Sequence, residues 1–437
     1  MKKIIAAGAG HGALSAAINL AKNGFDVTVY EKCAENDIGH DWVDSIDVEA
    51  FDFAGIARPP KFVCEPSLQM SFTNPSKTVT LIGPEKDPEG TAVYVDRKGL
   101  VRHLISEARK AGVKFVFGAS VSGAVTAGND VIGIRLEDGE KEKIVFADLV
   151  IDGAGVNSPV RRSLPERLGI INEISEQDMI SIFRAYYDKT DDTMLDPPYA
   201  VHFYHMGRPG MDWVITKDKY VDILIGKFAP FDDGEIENAL SDFREEYPFI
   251  GTELLRGGKT EVIPIRSTLP KIVCNGYAAV GDSACMTVPL KGSGIELAVK
   301  AGKLLASTVI SARNNSFTTE SLWSYQYRYY IMFGSKLTLI DAARSFLTRL
   351  DPQTVDYFLD SKLVTEKEVE MADGDVSLTV GYILSKLKTA LPKAHELLPS
   401  LLTALKNGAR EVRASESIPP HYDEKTFAEW AERYESK

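Results

Sequence analysis

Gly8-Ala9-Gly10-His11-Gly12-Ala13 lies between an apolar run, Lys3 to Ala7, and a stretch carrying Leu14, Ala17, Ile18 and Ala21 on one face. That order predicts a strand, a glycine turn and a helix from Ala13 to Asn23. Phe25 to Tyr30 reads as the next strand, and Glu31 ends it 21 residues beyond Gly10. Gly8 permits the tight turn, Gly10 lets a pyrophosphate approach the backbone, and Ala13 lets helix and strand pack closely. His11 and Gly12 open the helix, whose N-terminus offers free N–H groups and partial positive charge to phosphates. Glu31 is spaced to accept hydrogen bonds from a ribose diol. The unit reads as a dinucleotide site. The bland alternative is a glycine turn in an ordinary βαβ unit.

The composition is that of a globular protein: 437 residues, 44% hydrophobic and 26% charged, enough for two or three domains. A net charge of −12 supplies no positive field for nucleic acid. Cys33, Cys64, Cys274 and Cys285 are widely spaced, so neither a zinc site nor a disulfide framework is indicated. No metal site is expected. The expected location is a reducing cytoplasm. The first residues lead straight into the fold and do not read as a signal peptide. No run of about 18 apolar residues is present to span a membrane.

Residues 32–60 read as irregular, with His40-Asp41-Trp42 in a loop that folds over the cofactor. Residues 62–95 read as short strands and turns broken by Gly83-Pro84 and Pro88. Asp96 to Ala111 reads as a helix. From about 175 to 270 strands dominate, including Met179 to Tyr187, Met211 to Ile215 and Thr260 to Ile265, with one helix from Gly234 to Glu246. Gly294 to Asn314 is a long helix. Beyond about 317 the chain is helical, with Leu384, Leu387, Leu391, Leu397, Leu401 and Leu405 on apolar faces broken by Pro392 and Pro399. Such a Leu/Lys-rich helix suits a membrane surface, but covering a core is the favoured reading. The expected domains are a discontinuous nucleotide domain (1–60, 96–170 and 270–315), a sheet domain (61–95 and 171–269) and a helical region (316–437).

Two later motifs turn the dinucleotide into a flavin. One is Asp148-Leu149-Val150-Ile151-Asp152-Gly153-Ala154-Gly155, followed by Ser158 and Arg161. The other is Ala279-Val280-Gly281-Asp282-Ser283-Ala284, followed by Pro289-Leu290-Lys291-Gly292-Ser293-Gly294-Ile295. With the N-terminal glycines, they resemble the FAD-dependent oxidoreductases that include aromatic hydroxylases, flavin halogenases and geranylgeranyl reductases. The resemblance covers roughly residues 1–310. It implies an α/β fold: a Rossmann-like, glutathione reductase-type FAD-binding domain, an antiparallel-sheet substrate domain and a helical C-terminal extension. It also implies that Asp152, Gly153 and Ala154 pack beside the pyrophosphate and that Asp282, after Gly281, meets the ribityl chain. Gly292, Ser293, Gly294 and Ile295 then aim N–H groups at the flavin C2 carbonyl, where reduced flavin gathers negative charge. Lys32, Arg97 and Val121 complete the expected cofactor contacts.

Within that group the chain is most similar to the geranylgeranyl reductase branch. The similarity rests on Asp96-Arg97-Lys98-Gly99-Leu100, on Pro289-x-x-Gly292-x-Gly294-Ile295 and on Asp212-Trp213-Val214-Ile215 before Gly226. The chain departs from the branch at Ile215-Thr216, where Phe-Pro is usual. It departs again at His40-Asp41-Trp42, where many reductases carry a cysteine motif. The expected activity is hydride transfer from reduced flavin to a carbon–carbon double bond of a hydrophobic, isoprenoid-like substrate. The alternative is hydroxylation of an apolar or aromatic compound, and a flavoprotein that signals without turnover is a third reading. Alkene reduction needs a proton donor. The candidates are Cys285, three residues past Asp282, and His40. Trp213, Trp42, Val288 and Leu290 are expected to line the substrate pocket. NAD(P)H or a ferredoxin is the expected electron donor.

Overall fold

The structure, a computed structural model, describes residues 2–83, 91–138, 141–312, 316–367 and 394–435. The strand Lys3–Ala7 lies inside a six-stranded sheet, flanked in parallel by Asp26–Glu31 and Leu149–Asp152. Lys114–Phe117 and Tyr277–Ala279 extend it in parallel on either side, and Val273–Cys274 closes one edge antiparallel. The central strands are continuous apolar runs, and Ile4, Ile5, Val150 and Ile151 are fully buried. The helix His11–Lys22 packs against the late helix Ile295–Ser311. Gly302 permits this approach, because a Cβ there would stand 2.3 Å from the Gly12 carbonyl oxygen. The Ser15 hydroxyl donates to the Val299 carbonyl at 2.7 Å across the same contact.

The second layer is a seven-stranded sheet. Its order is Ile250–Pro264, Met179–Lys189, Tyr220–Lys227, Met211–Thr216, Tyr199–Phe203, Met70–Thr73 and Thr80–Ile82. All neighbours are antiparallel except Tyr199–Phe203 with Met70–Thr73. Period-2 alternation divides its side chains between two surfaces. Phe183, Ala185, Val214, Ile223 and Ile225 pack against the helix Glu235–Glu246. The opposite face carries a transverse row in direct register: Lys259, Arg184, Leu224, Trp213, Val201, Phe72 and Leu81.

Two expectations need correction. Residues 32–60 are not irregular throughout: Val43–Asp47 is a strand and Glu49–Ala54 a helix. Val43–Asp47 pairs with Ala92–Asp96, and Cys64–Pro66 joins the same strand, so the strands of 61–95 divide between this small sheet and the large one. The strand expected at Thr260 begins ten residues earlier, at Ile250. Its register shifts near Gly257 and Gly258, both at positive φ, and that obscures the alternation. Another three-stranded sheet, Val121–Ala127, Asp130–Asp138 and Lys141–Phe146, flanks the nucleotide layer.

The C-terminal helices Thr319–Tyr329 and Ser335–Leu347 are joined by a π-helical turn, Tyr330–Gly334. Pro352–Asp360, Ala394–Glu416 and Glu424–Glu435 follow. Pro399 lies inside Ala394–Glu416 and does not end it. The Trp323 indole donates to the Pro419 carbonyl and the Tyr434 hydroxyl to the Thr268 carbonyl, which ties the last helix to the main core. Leu384, Leu387, Leu391 and Pro392 lie outside the described residues. No helix among the described residues is long and apolar enough to cross a membrane.

Candidate active site

The three glycine motifs meet at one crossing. A Cβ on Gly10 would stand 2.7 Å from the Gly153 carbonyl oxygen, and one on Gly153 would stand 2.5 Å from the Ala13 Cβ. Gly8 sits at φ +83, and its Cβ would meet the same Gly153 oxygen at 2.8 Å. Gly10 therefore has a second reason to be glycine besides ligand approach: another chain segment already lies against it. Glu31 is buried and holds the turn, accepting from Ala9 N–H at 2.8 Å on one oxygen and from Cys33 N–H at 2.9 Å on the other. Each oxygen keeps a lone pair for a ribose hydroxyl.

A cavity of about 1960 Å³ opens from this crossing. Gly8, Gly10, His11, Gly12, Ala13, Glu31, Lys32, Arg97, Val121, Gly153 and Ala154 line it. So do Gly281, Asp282, Gly292, Ser293, Gly294 and Ile295. Two helix N-termini face it, those of His11–Lys22 and Ile295–Ser311. Both are capped by glycine, which has no side chain to bond the first-turn N–H groups. Those donors stay open to an anionic or carbonyl-bearing ligand. The Asp282 carboxylate has no hydrogen-bond partner among the described residues. Burial raises its pKa against the pull of Arg97 and His40. His11 Nε2 is buried without a partner among the described residues; burial first, then the charges of Arg97 and His40, hold this imidazole well below its ordinary pKa. These open groups fit FAD.

Two expected site residues lie elsewhere. Asp152 is fully buried beneath the crossing and does not line the cavity. Its carboxylate accepts from the Ser158 and Tyr277 hydroxyls, the latter at 2.9 Å, and from Ala154 N–H at 3.1 Å. It holds the motif together. Cys285 is also fully buried outside the cavity, and burial pushes its thiol up to about 12. Counting three residues from Asp282 failed because Gly281–Ala284 is a 3-10 turn and Cys285 then takes a left-handed φ of +56, turning its side chain into the core. Arg161 was not singled out for a role. It is buried and donates to the Ser283 carbonyl at 2.8 Å and to the Val156 carbonyl, fastening the middle motif to the late one.

The remaining expected residues all border the cavity: His40, Trp42, Trp213, Val288 and Leu290. His40 stacks on Trp42 at 4.4 Å and 8°, and its Nδ1 stands 3.4 Å from Glu261 Oε1. The hydrogen bond from His40 lowers the Glu261 pKa against burial. Trp42 N–H donates to Asp44 at 3.3 Å. Asp44 also accepts from Arg97 and, at 3.0 Å, from Arg184, which forks onto Asp222. Burial opposes the charge on Asp44, but Arg97 and Arg184 outweigh it and leave its pKa lowered. This Asp44–Arg184 bridge ties the His40–Trp42 segment to the large sheet. Local spacing gave no sign of it, because Arg184 lies 140 residues from Asp44.

Beyond Trp213 the cavity turns apolar. It continues past Tyr199, Phe72 and Leu81 under the C-terminal residues Leu347, Val355 and Phe358. This part was absent from the sequence reading.

Residues 2–210 match the family described as FAD binding domain. A digeranylgeranylglycerophospholipid reductase of Sulfolobus acidocaldarius is 23% identical over 433 residues, covering 96% of this chain and 93% of the relative. A probable electron transfer flavoprotein-quinone oxidoreductase of Escherichia coli is 26% identical and covers 74% of this chain and 80% of the relative. Among solved structures, a geranylgeranyl bacteriochlorophyll reductase-like protein from Thermoplasma acidophilum superposes with a TM-score of 0.74 at 20% identity, over 92% of this chain and 99% of that one. The flavin-dependent brominase Bmp2 superposes at 0.62 with 14% identity, over 89% of this chain and all of that one. At these identities the structural likeness is one of fold. The chain carries an FAD-binding domain and is an FAD-dependent oxidoreductase.

Proposed function

We propose that this enzyme reduces carbon–carbon double bonds of a long, hydrophobic, isoprenoid-type substrate. One observation carries the reading. The cofactor groove and an apolar chamber under the C-terminal helices are a single cavity of about 1960 Å³. That is about twice what one drug-sized ligand fills, which leaves room for an apolar substrate beside the cofactor. The reductase names among the relatives agree with this reading.

The crossing at Gly8, Gly10 and Gly153, with the N-terminus of His11–Lys22, holds the pyrophosphate. Glu31 takes the ribose, and Asp282 takes the ribityl chain. Gly292 to Ile295 set N–H groups against the flavin ring. When bound and reduced by NAD(P)H or a ferredoxin, FAD supplies a hydride. This chain supplies the proton and the dry pocket. His40 is the donor, stacked on Trp42 and steered by Glu261, with its second ring nitrogen left for the substrate carbon. Cys285 has no path to it. Trp213 and Trp42 exclude water around the reacting carbons.

The test is to mix anaerobic, chemically reduced enzyme with geranylgeranyl lipids and, separately, with phenolic compounds. Saturated prenyl product without oxygen is expected. Turnover only with oxygen, giving a hydroxylated product, overturns the reading in favour of a monooxygenase. Trp213→Ala should keep its FAD and lose prenyl affinity by about tenfold or more.

A further inference from the structure

We propose that Leu81, Phe358 and Leu359 form an end-stop that selects the length of the substrate's hydrocarbon chain. The inference deepens the reductase reading and rests on it. It starts from the transverse row on the cavity face of the large sheet. The row runs Lys259, Arg184, Leu224, Trp213, Val201, Phe72, Leu81, one residue from each of seven strands, and every member except the buried Val201 lines the cavity. Its first end belongs to the cofactor. A Cβ on Gly292 would meet Ile263, on the same strand as Lys259, at 3.5 Å.

Polarity changes along the row. Lys259 and Arg184 are charged, and Arg184 is committed to Asp44 and Asp222. From Leu224 onward every member is apolar. Five apolar residues on adjacent strands enclose four interstrand spacings, about 19 Å in all at ~4.8 Å each. An extended isoprene unit covers about one such spacing, so the apolar segment matches a chain of about four units. An apolar row of this kind rewards chain length one unit at a time, because each buried methylene adds a similar increment.

At the far end the row meets a wall. Leu81 sits on the edge strand Thr80–Ile82 and packs in one buried cluster with Phe358, Leu359 and Leu363. The helix Pro352–Asp360 packs against that strand through Phe358 and Leu359. It is fixed from below: Ser76 N–H donates to Asp356 at 2.9 Å, and the Thr78 hydroxyl donates to Asp360 at 2.9 Å. The Tyr204 hydroxyl donates to the Leu350 carbonyl at 2.6 Å and secures the chain that leads into the helix. The wall is therefore held by hydrogen bonds from Ser76, Thr78 and Tyr204. A chain one unit too long meets Phe358 and Leu359, which border the cavity at this end, and must displace them.

The experiment titrates FAD-loaded enzyme with farnesol, geranylgeraniol and geranylfarnesol and follows the flavin absorbance. Wild type should bind geranylgeraniol tightest. Phe358→Ala should shift the preference toward geranylfarnesol, and Leu81→Trp should shift it toward farnesol. Each shift should be about tenfold or more in the ratio of dissociation constants. Opposite shifts in two variants that keep their FAD cannot come from general loosening. If all three alcohols bind wild type but both variants keep its ranking, the end-stop is wrong and the reductase reading stands. If no prenyl alcohol perturbs the flavin of wild type, the substrate reading fails and the end-stop fails with it.

Discussion

The glycine crossing and the transverse row are built by opposite means. At the crossing, backbone lies against backbone: Gly8 and Gly10 meet Gly153, and Gly153 meets Ala13, with side chains excluded. Along the row, side chains from seven strands make the surface, and the backbone only sets their register. The first arrangement tolerates almost no change in residue type. The second tolerates many, provided size and polarity are kept. One consequence is functional. The cofactor site is fixed for its ligand, while the substrate surface is adjustable at each strand without disturbing it.

The sharpest way to break this contrast is at the buried charged anchor of the row. Arg184→Leu leaves the buried Asp222 carboxylate without its cation, while Asp44 keeps Arg97. A loss of about 3–5 kcal/mol in stability is expected, from the cost of an uncompensated buried charge. Chemical denaturation of the variant checks it. A loss under 1 kcal/mol would mean that water reaches these carboxylates, and Arg184 would not be what holds the His40–Trp42 segment. Next comes Gly10→Ala. Its new Cβ would meet a carbonyl oxygen that cannot rotate away, so a cost near the top of the ~1–3 kcal/mol overpacking range is expected, together with loss of FAD. Flavin content after purification reads it directly. Retention of full FAD would show that the crossing yields more than the contrast allows. Glu31→Ala should cost less. It removes an acceptor from Ala9 and Cys33 N–H groups, and FAD affinity should fall by about 1–3 kcal/mol while the fold persists.

The same contrast explains what was legible in the sequence. The crossing uses residues inside short motifs, so Gly8, Gly10 and Glu31 could be found by spacing and Gly281, Asp282 and Gly292 by the resemblance their motifs carry, and all line the cavity. The errors near it came from direction. Asp152 and Cys285 stand at the right places in the chain, but their side chains turn inward, Cys285 because of one left-handed residue conformation. The row is different. Phe72 meets Val201 through pairing between strands more than a hundred residues apart, and no local pattern encodes that. The roof was missed for a related reason. An amphipathic helix such as Pro352–Asp360 reads as apolar on one face, and the sequence does not say which surface that face covers. Residues 32–60 looked irregular because their strand carries Asp44, Ser45 and Asp47, whose partners are far away in the chain.

The smallest effect separates the two regions by pH. At one end of the large sheet His205 is buried between Asp212, at 3.3 Å, and Glu246, at 2.7 Å. Arg208, Lys77 and His202 face the same group from neighbouring segments. Burial alone lowers the His205 pKa, but the two carboxylates outweigh it and raise the pKa above its ordinary value of 6.5. A raised folded-state pKa stabilises the fold fully below 6.5, and that contribution disappears as pH rises through the folded value. His202 has the reverse sign. Burial lowers it to about 4, and its neutral ring bonds to the Tyr247 hydroxyl, so its contribution is present above 6.5 and fades as pH falls toward 4. The two opposed terms leave a modest net dependence. In His205→Gln the His205 term is gone, so thermal stability should decline less than in wild type between pH 6 and pH 8. The glycine crossing contains neither group. FAD content should therefore stay level across that interval in both proteins, and a parallel loss of FAD with stability would show that the two regions unfold as one.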